Sequence, residues 1–151
     1  MEEPMPYLIA ALLCERVIEE KDGSLSIIRL ADKITITIPA ETTLRPKPVI
    51  ALTGLVSLKG GDFSGKGTLS IIKINPKGER EPPKSQPALI DLKGAEQGIN
   101  TILRMEIGVE QEGVHWFEVL FNNHMLTRIP LTVVYKQVEK ADIQPPTQDQ
   151  I

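Results

Sequence analysis

The stretch "KITITIP", residues 33–39, alternates apolar and polar side chains without a break. Isoleucine occupies every second position and threonine lies between, in the order Ile34, Thr35, Ile36, Thr37 and Ile38. Because successive side chains of a β-strand point to opposite faces, this pattern predicts a strand with one buried and one solvent-facing side. β-branched residues also favour strands, and Pro39 marks the end of this one.

The same period of two recurs along most of the chain. "PVIALTGLVSL", residues 48–58, "TLSIIKI", residues 68–74, and "INTILRMEIGVE", residues 99–110, each carry apolar residues on one face. No window of a dozen residues has a helical stripe, and the proline-rich segments 39–48 and 75–87 read as connections. We therefore predict an all-β protein: a single-domain antiparallel β-sandwich over residues 1–137, immunoglobulin-like or a related Greek key, followed by a flexible tail over residues 138–151.

Two hairpins are predicted at the ends of this domain. Asp22-Gly23 lies between "YLIAALLCERVIEE" and "SLSIIRL", and this dipeptide favours a tight turn. Within the first run, "LIAALLC", residues 8–14, reads as a buried strand. In "HWFEVLFNNHMLTRIPLTVVY", residues 115–135, a two-residue turn would place Phe117 opposite Arg128 and mix the two faces. We therefore predict a three-residue loop over residues 122–124, with an asparagine in the left-handed conformation.

These two ends resemble a family of uncharacterised bacterial β-sandwich proteins. The resemblance lies in "ALLCERVIEEKDGSLSIIRLADKI", residues 11–34, which includes Asp32, and in "GVHWFEVLFNNHMLTRIPLTV", residues 113–133. The second segment has a glycine, an aromatic or apolar alternation, a polar turn and a Pro-Leu pair, although two asparagines replace the usual aspartate-glycine of the turn. The resemblance implies a β-sandwich and a bacterial origin, and it assigns no activity.

Composition argues against several classes of partner. The chain has 151 residues and a net charge of −3, which gives no overall attraction to nucleic acid or to acidic membranes. The apolar run 8–14 is too short to span a bilayer, and acidic residues precede it where a secretory signal needs positive charge. Residues 59–84 are locally basic, with six cationic side chains against three acidic ones, a pattern that solvated loops commonly share and that an anion site would also need.

The segment "GGDFSGKG", residues 60–67, approximates a phosphate-binding loop, with Lys66 preceded by glycines. However, Gly67 stands where the loop needs a hydroxyl, and the β-branched run that follows cannot begin the required helix. We interpret the segment as the turn of a hairpin and predict no cofactor.

Few residues are available for catalysis or metal binding. His115 and His124 are the only histidines, and six residues of strand separate His115 from the turn, a distance of about 20 Å. Cys14 is the single cysteine, which excludes an internal disulfide, and its apolar surroundings favour a buried side chain over a nucleophile. We predict no catalytic, cofactor-binding or metal-binding residues. Trp116 either fills the core or anchors a partner, and the usual burial of large aromatics favours the core.

The sequence therefore favours a non-catalytic interaction module of a bacterial cytoplasm, not an enzyme. Its partner is an unknown protein, with self-association through an edge strand as one form, and with neither nucleic acid nor membrane as a ligand. Two alternatives stay open: a small-ligand-binding enzyme with an unrecognised site, and an envelope lipoprotein processed at Cys14.

Overall fold

A computed structural model describes residues 3–40, 47–82 and 86–138. Nine β-strands follow one another along the chain, and no described residue is helical. The strands are β1 (Tyr7–Glu19), β2 (Leu25–Leu30), β3 (Lys33–Ile38), β4 (Val49–Lys59), β5 (Gly65–Ile74), β6 (Ala88–Leu92), β7 (Gly98–Gly108), β8 (Gly113–Phe121) and β9 (His124–Gln137). Of the predicted tail, residues 139–151 lie outside the described part of the chain, as do residues 41–46 of the first predicted connection and 83–85 of the second.

The strands form two packed sheets, which confirms the predicted β-sandwich. A four-stranded sheet has the order β2-β1-β4-β7, and a five-stranded sheet has the order β3-β9-β8-β5-β6. Neighbouring strands are antiparallel except β3 and β9, which run parallel from the Lys33–Thr132 pair to the Ile38–Gln137 pair. The chain changes sheets after β2, and β3 pairs with the last strand, β9. Neither an immunoglobulin-like nor a Greek-key arrangement follows from this order alone.

The alternation predicted from the sequence defines the core. Inner-face side chains of both sheets interdigitate, and the buried cluster includes Leu13, Val56, Ile71, Phe117 and Phe121. Gly54 interrupts the apolar face of β4 because β5 approaches closely there: a Cβ on Gly54 would lie 2.9 Å from the Cδ1 atom of Ile71. A Cβ at this position would therefore require the end of the Ile71 side chain to shift.

The glycine segment 60–67 is not the turn of a hairpin. It connects β4 of one sheet to β5 of the other, so the strands that flank it are not paired. Its backbone N–H groups are used by the neighbouring loop: Gly60 donates to the carbonyl of Gln97 at 3.1 Å and Gly61 to that of Ala95 at 3.0 Å. A strand, not a helix, begins at Gly65, so the segment lacks the anion site of a phosphate loop.

The first hairpin forms as predicted. β1 and β2 pair antiparallel around a turn in which the N–H of Gly23 donates to the carbonyl of Glu20 at 3.0 Å. Gly23 has a φ of 88°, a left-handed conformation that most side chains disfavour. The carboxylate of Asp22 accepts a hydrogen bond of 2.9 Å from the N–H of Ser24, which lowers the pKa of that carboxyl.

The three-residue loop predicted for the last hairpin is wrong. Phe121 pairs with His124, so the turn contains only Asn122 and Asn123, both with positive φ (49° and 66°). The predicted Phe117–Ile129 and Val119–Thr127 pairs nevertheless occur, because the register shifts between Val119 and Leu120. One extra residue on β9 forms a bulge, which shifts the pairing by one residue. The side chains of Phe117 and Phe121 therefore both point inward although the turn has only two residues.

The run "LIAALLC" lies in β1, between β2 and β4, but only its last two residues are fully buried. Leu13 faces the core, whereas Ile9 is 56% exposed and Ala10 is also exposed. A continuous apolar run therefore does not mean burial along its whole length here.

Candidate binding site

The four-stranded sheet splits at one end. The ladder between β1 and β4 runs from the Tyr7–Lys59 pair and stops at the Cys14–Thr53 pair. Beyond that point β1 pairs only with β2 as far as Glu19, and β4 pairs only with β7 back to Val49. The gap bounded by residues 15–19 of β1 and residues 49–52 of β4 is called the fork below.

Two local features accompany the divergence of the strands. Arg29 of β2, opposite Glu15, has a φ of 53°, which is uncommon for a side chain of this size. The hydroxyl of Thr53 donates to the carbonyl of Glu15 at 3.3 Å, which closes the ladder at its last pair. The β1–β2 hairpin can thereby bend away from β4 without leaving the Glu15 carbonyl unsatisfied.

The backbone of β4 directs hydrogen-bonding groups into the fork. The N–H of Val109 donates to the carbonyl of Pro48 at 2.9 Å, so Pro48 and Val109 form a hydrogen-bonded pair of the β4–β7 ladder. In this register the even-numbered residues of β4 are the ones whose backbone groups hydrogen-bond to β7. Because hydrogen-bonded and non-hydrogen-bonded pairs alternate in an antiparallel ladder, Val49 and Ala51 point their N–H and C=O groups the other way. The backbone groups of Thr53 that point this way meet β1, whereas those of Ala51 point into the fork.

A cleft lies on each side of the fork. The inner cleft, about 530 Å³, is walled by the apolar side chains of Leu30, Ile34, Ile36, Ile50 and Leu52, with charged residues at its rim. The outer cleft, about 590 Å³, is more polar and lies between Arg16 of β1 and Arg104 of β7. Glu15, Ala51 and Leu52 line both clefts, so the two spaces meet where the ladder ends.

The fork is basic on a chain that is acidic overall. Four cationic side chains line the two clefts against two carboxylates: Arg16, Arg29, Lys33 and Arg104 against Glu15 and Glu106. Glu15 and Arg29 form an exposed ion pair at 3.3 Å. Within residues 3–40, 47–82 and 86–138, no salt bridge is formed by Arg16, Lys33 or Arg104.

Cys14 lies beside the fork with a fully buried side chain. Burial raises the pKa of its thiol, an effect that the N–H of Arg16 partly opposes by hydrogen bonding to the sulfur. A thiol with a raised pKa is a poor nucleophile at neutral pH. Processing at Cys14 would remove residues 7–13 of β1, including the core residue Leu13 and most of the ladder with β4, so this strand is an integral part of the fold.

The two histidines lie at opposite ends of the β8–β9 hairpin, apart from each other as the sequence predicted. His124 pairs with Phe121 at the turn and its Nε2 atom lies 3.0 Å from a carboxylate oxygen of Glu3. His115 pairs with Leu131 at the other end. Among the described residues, no group of three histidine, cysteine or acidic side chains is placed to hold a metal ion.

His115 belongs to a buried polar cluster that the sequence did not reveal. Lys73, on the inner face of β5, is 3% exposed and donates to the carboxylate of Glu81 at 3.0 Å and to the carbonyl of Gly108 at 3.3 Å. His115 is 1% exposed, and its Nε2 atom lies 3.1 Å from the carbonyl of Gln111. A carbonyl only accepts, so Nε2 carries the proton of the neutral ring, and Nδ1 has no partner among the described residues.

We expect the protein to lose stability as the pH falls below about 6.5. Burial lowers the pKa of His115 from its ordinary value of 6.5, although the hydrogen bond to Gln111 opposes this effect. The unfolded chain then takes up a proton that the folded chain does not, which favours unfolding by at most about 1.4 kcal/mol per pH unit. Urea unfolding of the wild type and of His115→Gln between pH 5 and 8 measures this effect. Equal pH dependence of the two proteins below pH 6.5 would contradict it.

Trp116 does not lie in the core, and the basic side chains that the structure describes within residues 59–84 do not gather into a single anion site. Trp116 lies on the outer face of the five-stranded sheet and is half-buried, with the guanidinium carbon of Arg128 4.6 Å from its ring centroid; Phe117 takes the core position instead. Burial of Trp116 in the core was therefore the wrong expectation. Within residues 59–84, Lys73 is buried against Glu81, and Arg80 forms a salt bridge with Glu118 at 3.1 Å.

Comparison with known proteins assigns a family but no activity. The model of DUF6941, a family of unknown function, matches residues 9–134 and so covers every strand except the ends of β1 and β9. The chain belongs to the DUF6941 family. No curated protein matches it. The described residues also contain no helix that is long and apolar enough to cross a membrane. Membership of DUF6941 confirms the expectation that the chain belongs to an uncharacterised family.

The fork itself was not predicted. The sequence carried two signals of it: the apolar run of β1 ends abruptly at Glu15 and Arg16, and β2 has an isolated arginine, Arg29, at the point opposite. Neither signal shows that β1 leaves β4, because pairing between distant strands is a property of the tertiary structure.

Proposed function

We propose that this DUF6941 protein is a non-catalytic interaction module that receives an extended segment of a partner protein in the fork. The observation that carries the proposal is the ladder between β1 and β4, which stops at Cys14–Thr53 while Val49 and Ala51 still direct backbone groups into the gap. An added strand that pairs with these groups is an established mode of peptide recognition.

The two clefts suit the alternating side chains of such a strand. Successive residues of an extended segment point to opposite faces, so every second side chain would enter the inner cleft and the others would lie over the outer one. The inner cleft offers apolar walls, and the outer one is flanked by charged side chains. Backbone pairing would supply affinity, and the two clefts would supply the preference for particular side chains.

The chemistry of the clefts supports binding without catalysis. Cys14, His115 and His124, the residues from which a nucleophile or a general base would be drawn most readily, line neither cleft. The candidate bases that do line the clefts are the carboxylates Glu15 and Glu106, and Glu15 already forms an ion pair with Arg29. Among the described residues, no aromatic side chain lines either cleft, and aromatic side chains are where the bases of a nucleic acid would stack.

We propose a bacterial cytoplasm as the cellular setting of the module. A single buried cysteine without a disulfide suits a reducing compartment, and we place the module in a bacterial cytoplasm, in line with the resemblance at its terminal hairpins. The partner is another protein, and a second copy of the chain that donates a strand is one form of it. Light scattering at high concentration separates a self-associating module from a monomer that waits for a different protein.

We expect Ala51→Pro to weaken peptide binding at least about tenfold, because proline removes the N–H that faces the fork. The probes are two blocked nine-residue peptides that alternate valine with glutamate or valine with lysine, titrated by calorimetry. Folding should persist because the N–H of Ala51 is not part of the ladder with β7.

Ala51→Ser is the matched control, since it keeps the N–H and a small side chain, and it should bind like the wild type. The same peptides, N-methylated at alternate residues, should lose affinity for the unaltered protein. If neither peptide binds, or if Ala51→Pro binds as well as Ala51→Ser while its melting curve is unchanged, strand addition at the fork is wrong.

A further inference from the structure

We infer that the fork selects a partner segment in which apolar residues alternate with acidic ones. This inference rests on the proposed function and names the chemistry of the partner. It is based on the excess of cationic over acidic side chains around the fork and on the side of the sheet on which each charged group lies.

The inner cleft selects apolar side chains. Ile34 and Ile36 of β3 face Ile50 and Leu52 of β4 across it, and Leu30, which is 64% exposed, lies at its mouth. The charged groups at its rim include Glu15 and Arg29, which largely neutralise each other at 3.3 Å. An aliphatic side chain that enters from the fork would bury apolar surface of its own and of Leu30.

The outer cleft selects negative charge. Arg16 of β1 and Arg104 of β7 stand on either side of it, with Thr53 between them at the end of the ladder. Neither arginine forms a salt bridge with another residue of the described part of the chain. Glu106 supplies the only carboxylate of this cleft apart from Glu15, which Arg29 already holds.

The register of an added strand connects these two preferences. Residues that point into the inner cleft alternate with residues that lie over Arg16 and Arg104, so an apolar–acidic alternation satisfies both sides at once. Lys33, at the rim of the inner cleft, adds a third cation that forms no salt bridge with the residues that the structure describes. The positive charges of a basic segment would be repelled by all three of these cations.

The valine–glutamate peptide should bind at least about tenfold more tightly than the valine–lysine peptide in 50 mM NaCl, and the ratio should shrink in 500 mM NaCl as exposed charges are screened. Arg104→Glu should reduce that ratio by about tenfold, since it exchanges an attractive for a repulsive charge. Lys77→Glu is the matched control: it makes the same change in net charge on an exposed turn outside the fork, and it should leave the ratio unchanged.

The outcomes separate this inference from the proposed function. Equal affinity for the two peptides, with Ala51→Pro still weakening both, would leave strand addition standing and overturn the acidic preference. An equal loss in Arg104→Glu and Lys77→Glu would assign the preference to net charge and overturn the role of the fork. Displacement of the valine–glutamate peptide by an equal concentration of a single-stranded oligonucleotide would overturn it as well, because the cations would then serve phosphates.

Discussion

Phe121→Ala is expected to lower the free energy of unfolding by about 3–5 kcal/mol, the range for deletion of a buried phenyl ring. Phe121 is fully buried at the end of β8 and packs edge-on against Phe63, with ring centroids 4.9 Å apart and an interplanar angle of 87°. Phe63 belongs to the segment that crosses between the sheets, so this ring contact joins the crossover to the core. Urea unfolding followed by tryptophan fluorescence or circular dichroism measures the loss.

A glycine provides an independent test of the same contact. A Cβ on Gly67 would lie 2.2 Å from the Cζ atom of Phe121, so Gly67→Ala should cost about 1–3 kcal/mol by overpacking. In the Phe121→Ala background that cost should vanish, because the obstructing ring is gone. Met125→Ala, at a position 55% exposed on the same hairpin, should change stability by less than about 0.5 kcal/mol. Additive effects of Gly67→Ala and Phe121→Ala would show that the ring does not occupy this space.

Glu81→Ala is expected to cost about 3–5 kcal/mol, because it leaves the ammonium group of Lys73 buried without its carboxylate. The side chain of Lys73 is 2% exposed, and its Nζ atom lies 3.0 Å from Glu81 and 3.3 Å from the carbonyl of Gly108. The carbonyl alone cannot replace the lost charge. Thermal and urea unfolding at pH 7.5, where His115 is neutral, measures the effect without a contribution from that ring.

Removal of the buried cation itself should be better tolerated. Lys73→Met keeps much of the volume and takes away the charge, so it should destabilise the protein less than Glu81→Ala does. The double variant Lys73→Met, Glu81→Ala should be more stable than Glu81→Ala alone. A Glu81→Ala protein as stable as the wild type would mean that Lys73 reaches solvent or another acceptor, and the buried ammonium would then not depend on Glu81.

Much of the fold could be predicted because most strands bury one face. Ile34, Ile36 and Ile38 point inward as the alternation in "KITITIP" predicts, and the inner face of β4 follows its own alternation, with Gly54 where a Cβ would meet Ile71. The first turn was predictable for a local reason, since Gly23 adopts a conformation that glycine favours. These features depend on neighbours in the sequence and are visible without tertiary information.

The errors arose where distant segments meet. The sequence read residues 60–67 as a hairpin, but β4 and β5 belong to different sheets, and nothing local to the glycines distinguishes a turn from a crossover. The alternation of the two strands predicted a three-residue loop after Phe121. A bulge on β9 instead shifts the pairing by one residue, which allows the two-residue Asn122-Asn123 turn. Trp116 and Phe117 have opposite parity, and only the packing of the sheets shows that Phe117 is the inner one.

The sequence by itself determined that the chain is a β-sandwich and which residues of most strands face its interior. These properties follow from residue type and spacing, because side-chain direction alternates along any strand. Only the tertiary structure decided where β1 parts from β4, which basic side chains gather around that gap, and that Lys73 and His115 are buried together. Such properties depend on the pairing of residues far apart in the chain, and backbone groups left without a neighbouring strand have no signature in the order of the amino acids.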